Sequence, residues 1–534
     1  MKKIVNIRTL MLLSFGFSAL CSIFVFWSFD VLAWLTEFDE KRVVASGILV
    51  FSGLSIAVSP FLANSISSVL AKIPTSVKFA LAAVGILAAI TLWKNPFLEL
   101  ALREIAMYGL LTLLIFSVAA ASCHYSEKLI IGLISVLTIG CLIYSFCALL
   151  AHTFNVLEGY LPIVPRRGYN FANVRFFNHL QAWTFPLLVF ASLSWRVFPL
   201  IRISGASAAT IWVALALYSK GAGITIALVA GGIVTIAFIT SRQKASPLTT
   251  YIKRYVQIIG AGLALWVLAF LWYPQLMNAS VESSANLTVT DFGLSGRDRL
   301  WVHAINWISE TPWLGRGPIN LVQFKTTPHN SLLQWSMEWG VISALLLTFI
   351  LGYGWLKWVA YARTKTNATI KSSELNLFIV ALTVSAISAL VLSMVSGIIV
   401  TPFSQLLGAI VLGFMLGLYQ RDTNKNLDRQ NRQLLYGVRL FAIFCVAIYA
   451  KATIPEILDR YMTGNGYTTK YLYHHEKDNG LNPRFWQHGP FPTNRTGFPF
   501  CYQFGKYTLD WECLFDIEIE QSTQRESKAN LDAQ

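Results

Sequence analysis

The chain has 534 residues, of which 55% are hydrophobic and 13% are charged, and its mean hydropathy is +0.54. Soluble domains contain about 25% charged residues, so this composition excludes a soluble enzyme, a disordered chain and a secreted domain built on disulfides. The formal charge of +15 would suggest nucleic acid in a soluble protein. Here the apolar runs are long enough to span a bilayer, so we expect membrane lipids as surroundings and no nucleic-acid partner.

Thirteen apolar segments approach the roughly 20 residues that a membrane-spanning helix needs. They lie at about 10–29, 43–63, 77–93, 105–123, 129–151, 180–195, 203–218, 222–240, 257–273, 337–356, 376–396, 402–419 and 437–453. Segment 180–195 is short, and segment 203–218 is rich in small residues. The first segment resembles a signal peptide, but it has no convincing cleavage site, so we read it as an uncleaved span. The sequence therefore predicts an all-α polytopic integral membrane protein with about 12–13 transmembrane helices.

The loop charges predict the orientation of these spans. If the N-terminus is cytoplasmic, the inner loops hold half of the 42 cations but only four of the 27 acids, namely Glu127, Glu374, Asp422 and Asp428. Cytoplasmic loops carry an excess of Lys and Arg, so the asymmetry favours a cytoplasmic N-terminus. An odd number of spans then places the C-terminal tail outside.

Three polar segments fall on the outer side in this topology. Two are long loops at about 152–179 and 274–334, and the third is the tail after residue 453. Long ordered loops in compact proteins tend to be functional. The tail contains Cys501 and Cys513, and an outer compartment permits a disulfide between them, although two free thiols are an equal alternative.

Cations on the outer face oppose the positive-inside trend and therefore indicate function. The first long loop contains Arg175, and the second contains Arg297, Arg299 and Arg316. The planar guanidinium suits phosphate oxygens, so the set suggests an anionic lipid-linked ligand. Headgroup contacts or local ion pairs are the alternative for any single arginine. Lys220, in a short outer turn, could add a phosphate contact or could simply snorkel to the interface.

Several other polar residues lie where outer loops enter spans. His329 precedes a predicted helix and could accept a proton from a sugar hydroxyl, although a lone histidine at a helix start is more often structural. Asn330 could cap that helix. Asn178, His179 and Gln181 could bind sugar hydroxyls or could satisfy the backbone of their own loop. There is no nucleotide-binding motif and no paired acidic metal motif on an outer loop, so we expect neither a metal nor a cofactor.

The stretch from residue 293 to residue 343 resembles the signature region of the O-antigen ligase superfamily. Arg297–Trp301 matches an Arg-x-x-hydrophobic-Trp pattern, Pro312–Gly317 matches Pro-x-hydrophobic-Gly-x-Gly, and His329–Asn330 is followed after nine residues by Gly340. The last position of this final pattern departs from the family, because Ser343 stands where Gly, Thr or Tyr is usual.

Two further departures occur. The turn around Lys220 is similar to the family's Ser-Arg-Gly-Ala stretch, with Lys in place of Arg, which keeps the charge but loses the bidentate fork. An Arg-x-x-x-Leu motif of the ligases is not cleanly present, because Trp301 follows Arg297 at the fourth position.

The resemblance, which covers about residues 160–420, implies a glycosyltransferase of the bacterial inner membrane with an active site that faces the periplasm. The donor would be a polyprenyl-diphosphate-linked glycan, and the acceptor a hydroxyl of lipid A–core, a growing chain or a protein. The transfer would need no metal and would invert the anomeric carbon. His329 would act as the base, and Arg175 and Arg297 would hold the diphosphate.

The implied organisation has four parts. These are N-terminal transmembrane helices (1–159), a ligase-like transmembrane core (160–420) with the periplasmic loop 274–334, a cytoplasmic loop with the last helix (421–453), and a periplasmic tail (454–534). A ligase that uses lipid A–core is the favoured function, with protein O-oligosaccharyltransferase or O-antigen polymerase as alternatives. A transporter or flippase is the alternative from another class. It should show ionisable residues in mid-span, whereas the cations here lie at outer loop ends.

Overall fold

A computed structural model describes residues 23, 29, 31–32, 37–93, 95, 98–161, 174–194, 196–239, 246–277, 280–281, 297–318, 328–366, 374–423, 432–463, 502–503 and 506–507. Its helices are α1 (Glu37–Val58), α2 (Pro60–Ala71), α3 (Thr75–Trp93), α4 (Leu98–Leu157), α5 (Val174–Leu193), α6 (Pro199–Tyr218), α7 (Ala222–Ile239), α8 (Pro247–Trp266), α9 (Arg297–Glu310), α10 (Ser331–Thr366), α11 (Glu374–Ser393), α12 (Pro402–Thr423) and α13 (Arg432–Thr463). A π-helical stretch, Val267–Trp272, and a final turn, Tyr273–Leu276, continue α8.

Four strands of two residues each complete the described structure. Strand β1 (Tyr160–Leu161) pairs in parallel with β2 (Ser280–Val281), and this pairing joins the two long loops predicted on one side. Strand β3 (Tyr502–Gln503) pairs antiparallel with β4 (Lys506–Tyr507) in the tail.

Eleven helical stretches in the described part of the chain are long and apolar enough to cross a membrane. This confirms the predicted all-α polytopic architecture. Of the predicted span 10–29, the structure describes only residues 23 and 29. The predicted span 180–195 coincides with α5 as far as Leu193. This helix is too polar to meet the same criterion, because it includes residues such as Asn178, His179 and Gln181. Most of α5 is buried among the other helices, so contacts with protein make its polar residues tolerable at membrane depth.

The long helical stretch α4 contains two of these spans, Ala101–His124 and Glu127–Leu157. Cys123 donates to a backbone carbonyl near the C-terminal end of α12. Met107 instead contacts Arg42, which binds a backbone carbonyl just before α12 begins. Tyr144 lies at the same end of the bundle as Met107, because its ring packs on Phe177 in the first turn of α5, with centroids 4.9 Å apart. The chain therefore crosses the bundle twice within α4, as the sequence predicts.

Ion pairs hold the opposite end of the bundle together. Arg196 pairs with Glu127 at 2.7 Å and with Glu374 at 3.1 Å. Asp422 pairs with Lys365 at 2.7 Å, among others. The sequence analysis assigned the three acids of these pairs to inner loops, and the structure brings them to one end. That this end faces the cytoplasm stays a prediction.

Helix α10 is interrupted at Gly340, whose backbone has φ 80° and ψ 161°. The loop Pro312–Gly317 fills the interruption. It donates two backbone N–H groups to the carbonyls of Met337 and Glu338, at 2.9 Å each, and accepts one from Val341 at 2.7 Å. Backbone groups that the broken helix cannot pair are thus satisfied by the loop, as a buried helix requires.

Two glycines of the signature are required by this close approach. A Cβ at Gly340 would lie 2.1 Å from the carbonyl oxygen of Trp313, and one at Gly315 would lie 2.5 Å from the nitrogen of Gly340. Both glycines also have positive φ, 80° and 66°. The spacing of these glycines in the sequence therefore follows from how loop and helix interlock.

Several predicted boundaries move in the structure. The predicted outer loop 274–334 contains α9 and the first residues of α10, and α10 extends to Thr366, beyond the predicted end at 356. The last helix continues through Pro455 to Thr463, so the tail does not begin at 454. The predicted boundary at 420 lies inside α12, and the four-part division otherwise stays a prediction. Cys501 and Cys513 lie outside the described residues.

Candidate active site

His329 occupies a fixed loop immediately before α10. Its backbone is left-handed, with φ 53°, and within the described ranges only Lys220 among other non-glycine residues shares a positive φ. Such conformations concentrate at functional sites. On one side of His329, the indole Nε1 of Trp301 donates to the carbonyl of Pro328 at 2.9 Å, so α9 holds the approach to the histidine.

Asn330 fixes the other side of His329. Its Oδ1 accepts from the backbone nitrogens of Leu332 and Leu333 at 3.0 and 3.1 Å, which is the helix cap suggested by the sequence. Its Nδ2 donates to the carbonyl of Met394 at 3.1 Å. Asn330 therefore joins the start of α10 to the end of α11, and this use of both ends of its amide favours a structural contribution.

Two of the predicted phosphate-binding arginines lie within electrostatic range of His329. Arg175 lies in the first turn of α5, and Arg297 begins α9. The pKa of His329 is lowered to about 4, mainly by burial, and the charges of Arg175 and Arg297 contribute to that lowering. His329 is therefore a neutral imidazole at pH 7 in the unliganded site.

The position of Arg297 follows from the amphipathic pattern of α9. Residues three and four apart share a helix face, so Arg297, Trp301 and Ala304 lie on the face that packs against α10, where Ala304 and Met337 are fully buried. Burial and the neighbouring charge of Arg175 lower the pKa of Arg297. The charges of Arg175 and Arg297 thus act on each other and on His329, and a bound anion would stabilise both cations.

The three polar residues at the start of α5 have different surroundings. His179 is buried, and its ring nitrogens contact Ser396 and Thr401. Gln181 is 1% exposed and donates to the carbonyl of Trp212 in α6 at 2.8 Å. Asn178 adjoins the turn that contains Lys220, as described next. These contacts of His179 and Gln181 are with other segments and not with the backbone of their own loop, which was the alternative to sugar binding.

Lys220 lies at the tip of the turn between α6 and α7. Its side chain is exposed, and the turn packs against α5. The Ser219 hydroxyl approaches Asn178 Oδ1 at 3.4 Å, and a Cβ at Gly221 would lie 2.6 Å from Asn178 Nδ2. Because Asn178 is three residues after Arg175 on the same helix face, the turn lies at the end of the bundle that carries Arg175.

The other two predicted arginines have different settings. Arg316 forms an ion pair with Glu310 and stacks over the ring of Trp307 at 4.3 Å. Its contacts therefore link the Pro312–Gly317 loop to α9. The side chain of Arg299 lies outside the described residues, and its backbone is two residues beyond Arg297 on a different helix face.

Sequence reasoning missed four residues whose contacts hold the segment 394–401, to which Asn330 is bonded, namely Arg42, Ser396, Thr401 and Gln405. Arg42 offered a signal, because it is a cation at the outer end of a predicted span, where the positive-inside rule disfavours one. The two hydroxyl residues and the glutamine offered none, since such residues are common in membrane helices. Among the described residues, no group of three or more His, Cys, Asp or Glu could hold a metal.

Comparison with known proteins bears on part of the chain. A family model described as O-Antigen ligase matches residues 205–348, a range that includes Lys220, Arg297, Arg316 and His329 but not Arg175. A search of curated proteins finds no match. The match supports a glycosyltransferase superfamily of the O-antigen ligase and polymerase type, and the matched range includes the Pro312–Gly317 loop and Gly340. The predicted resemblance to the O-antigen ligase superfamily is thereby confirmed for this part of the chain.

Proposed function

We propose that this multi-pass membrane protein transfers a glycan from a polyprenyl-diphosphate carrier to an acceptor hydroxyl at the periplasmic face of the bacterial inner membrane. We propose further that the acceptor is lipid A–core, as in an O-antigen ligase. The observation that supports this most is that Arg175 and Arg297 both lie within electrostatic range of His329. These residues come from separate elements, and together they provide an anion site beside a neutral base.

The two arginines suit the leaving group of this reaction. As the glycosidic bond breaks, its electron pair passes to the phosphate oxygen, and negative charge grows on the diphosphate. Guanidinium groups held in a partly buried site stabilise that charge more strongly than they would in water. Lys220, exposed at the same end of the bundle, is proposed as an additional phosphate contact.

His329 is proposed as the base that accepts the proton of the acceptor hydroxyl. The hydroxyl oxygen then forms the new bond to the anomeric carbon from the face opposite the departing diphosphate, which inverts the configuration. A base with a pKa of about 4 is weak. A bound diphosphate would offset the two arginine charges and raise the pKa of His329, so donor binding would make the base stronger.

The structure favours narrower roles for the remaining predicted residues. Arg316 is engaged by Glu310 and Trp307, and Gln181 by the backbone of Trp212. We propose that both support the site without touching the glycan. Asn178 supports the Lys220 turn, and Asn330 orients His329. Arg299 stays a prediction as a donor contact.

A complementation experiment tests this function. The gene is deleted in its host, and plasmid copies that encode wild-type protein, His329→Ala or His303→Ala are introduced. His303 is an exposed histidine of α9 and serves as the matched control. Lipopolysaccharide and glycoprotein profiles are recorded, together with the amount of each variant in the membrane.

We expect core-only lipopolysaccharide in the deletion strain and with His329→Ala, and full-length lipopolysaccharide with wild type and His303→Ala. Loss of protein glycosylation alone would indicate a protein oligosaccharyltransferase. Lipopolysaccharide with a single repeat unit would indicate a polymerase. Full rescue by His329→Ala would remove this residue from the mechanism.

A further inference from the structure

We propose that His179 is a positioning residue for the transfer reaction, which it serves by holding the connection between α11 and α12. This connection comprises residues 394–401 and is named here the α11–α12 connection. The proposal rests on the proposed function, because it assigns to His179 the task of keeping His329 opposite Arg175.

The contacts of His179 are made with the α11–α12 connection. Its Nε2 lies 2.6 Å from Ser396 Oγ, and its Nδ1 lies 3.1 Å from Thr401 Oγ1. The side chain is 2% exposed. A neutral imidazole donates from one ring nitrogen and accepts at the other, and a hydroxyl can do either, so both contacts can be hydrogen bonds at once. Because both nitrogens are occupied, His179 has no ring nitrogen left for a glycan.

The α11–α12 connection in turn holds the loop of His329. Asn330 Nδ2 donates to the carbonyl of Met394, where the connection begins. The hydroxyl of Ser331 donates to the carbonyl of Ser393, one residue earlier, at 3.1 Å. His329 is therefore separated from the connection by a single residue, and a shift of the connection would move the imidazole.

A second set of contacts holds the connection from α1 and α12. Arg42 Nη2 donates to the carbonyl of Val400 at 2.5 Å, and Gln405 Nε2 donates to the carbonyl of Ile399 at 2.8 Å. Arg42 Nη1 also donates to Gln405 Oε1 at 2.8 Å. The connection is thus held to α1 and α12 by these bonds and to α5 by His179.

Helix α5 carries both His179 and Arg175. The two residues are four apart and so lie on one face of the helix, and His179 is within electrostatic range of Arg175 and His329. The bonds from His179 therefore set the distance between the helix that carries the phosphate-binding arginine and the loop that carries the base. Displacement of a reacting group by about 1 Å can cost about 100-fold in rate.

The test compares variants of the full-length purified protein. The double variant Ser396→Ala/Thr401→Val removes both partners of His179 and leaves the imidazole in place. His179→Gln keeps a donor and an acceptor, whereas His179→Leu has neither. The matched control is Ser404→Ala, which removes a hydrogen bond of 2.9 Å from Trp183 Nε1. That bond joins α5 directly to α12, outside the connection.

Two measurements are made on each variant. The first is kcat and KM with a polyprenyl-diphosphate-linked glycan and lipid A–core. The second is the rate at which diethyl pyrocarbonate modifies His329 in the absence of donor, followed by mass spectrometry, with the exposed His303 as an internal reference. The second measurement reports the environment of His329 and does not depend on any activity.

We expect the double variant to lose about tenfold to 100-fold in kcat with KM for the donor changed less than about twofold, because transition-state alignment and not ground-state binding is lost. His329 should be modified several-fold faster, while Ser404→Ala should match wild type in both measurements. His179→Gln should retain more kcat than His179→Leu. If the double variant does not fold, this Gln and Leu pair decides the question.

Wild-type kcat and wild-type modification of His329 in the double variant would overturn the positioning role, as would equal losses in the double variant and Ser404→Ala. The two proposals fail differently. If wild-type protein transfers no glycan but modification of His329 still depends on Ser396 and Thr401, the proposed function fails and the link between His179 and His329 stands. If wild-type protein transfers glycan and the variants equal it, only the positioning role fails.

Discussion

Replacement of Gly340 by alanine should damage the protein even though it adds only one methyl group to a membrane helix. Gly340 interrupts α10 with φ 80° and ψ 161°, a backbone region that is essentially restricted to glycine. The added Cβ would lie 2.1 Å from the carbonyl oxygen of Trp313 and 2.8 Å from the nitrogen of Leu314. Both atoms belong to the backbone, so no side-chain rotation relieves the contact.

The structure allows the cost to be estimated. The strained backbone accounts for about 1–3 kcal/mol. Relief of the clash requires the Pro312–Gly317 loop to withdraw, which weakens three backbone hydrogen bonds that contribute about 0.5–1.5 kcal/mol each. We therefore expect Gly340→Ala to lower the free energy of unfolding by about 3–6 kcal/mol, a large fraction of the 5–15 kcal/mol typical of folded proteins.

The assay is thermal unfolding of the detergent-purified variant, together with glycosyl transfer by the fraction that stays folded. The matched control is Gly352→Ala in the same helix, where a Cβ would meet nothing within 4 Å and alanine is the better helix former. We expect Gly352→Ala to equal or slightly exceed wild type in unfolding midpoint. Equal midpoints for Gly340→Ala and Gly352→Ala would refute the reasoning that the Pro312–Gly317 loop packs against the interruption of α10 and requires glycine there.

Three further predictions concern the site. Because the pKa of His329 is lowered to about 4 and only the neutral imidazole accepts a proton, kcat/KM should be flat from about pH 8 down to about pH 5 and should fall below that; a fall centred near pH 6.5 would contradict this. Arg297→Ala removes a cation beside His329, so it should shift that fall to higher pH and lower kcat/KM by about 100-fold, as pH–rate profiles would show. Trp301→Phe removes the hydrogen bond to Pro328 and should lower the free energy of unfolding, measured by thermal unfolding, by about 1 kcal/mol. It should also reduce kcat, and an unchanged kcat would show that the bond does not orient His329.

Hydropathy along the chain was sufficient for the architecture, because a membrane span must be apolar over its whole length and this requirement is local. It located every one of the eleven spans among the described residues. It was weakest for α5. The polar residues of that helix are stabilised by contacts with neighbouring helices, which the hydropathy of the helix itself does not reveal. The signature glycines and His329 were visible as a pattern, but the pattern does not state why Gly340 must be glycine.

The sequence by itself determined that this is a polytopic helical protein. That the arginines lie on the outer side, and that a site forms around His329, stay predictions from the sequence and from the resemblance it carries. Only the tertiary structure decided which polar residues meet there. It brought Arg175 to His329 from a helix more than 150 positions earlier in the sequence, and it turned His179 towards Ser396 and Thr401. The physical reason is that helix pairing and helix rotation decide which side chains face each other, and both arise from packing between distant segments, which a local pattern cannot express.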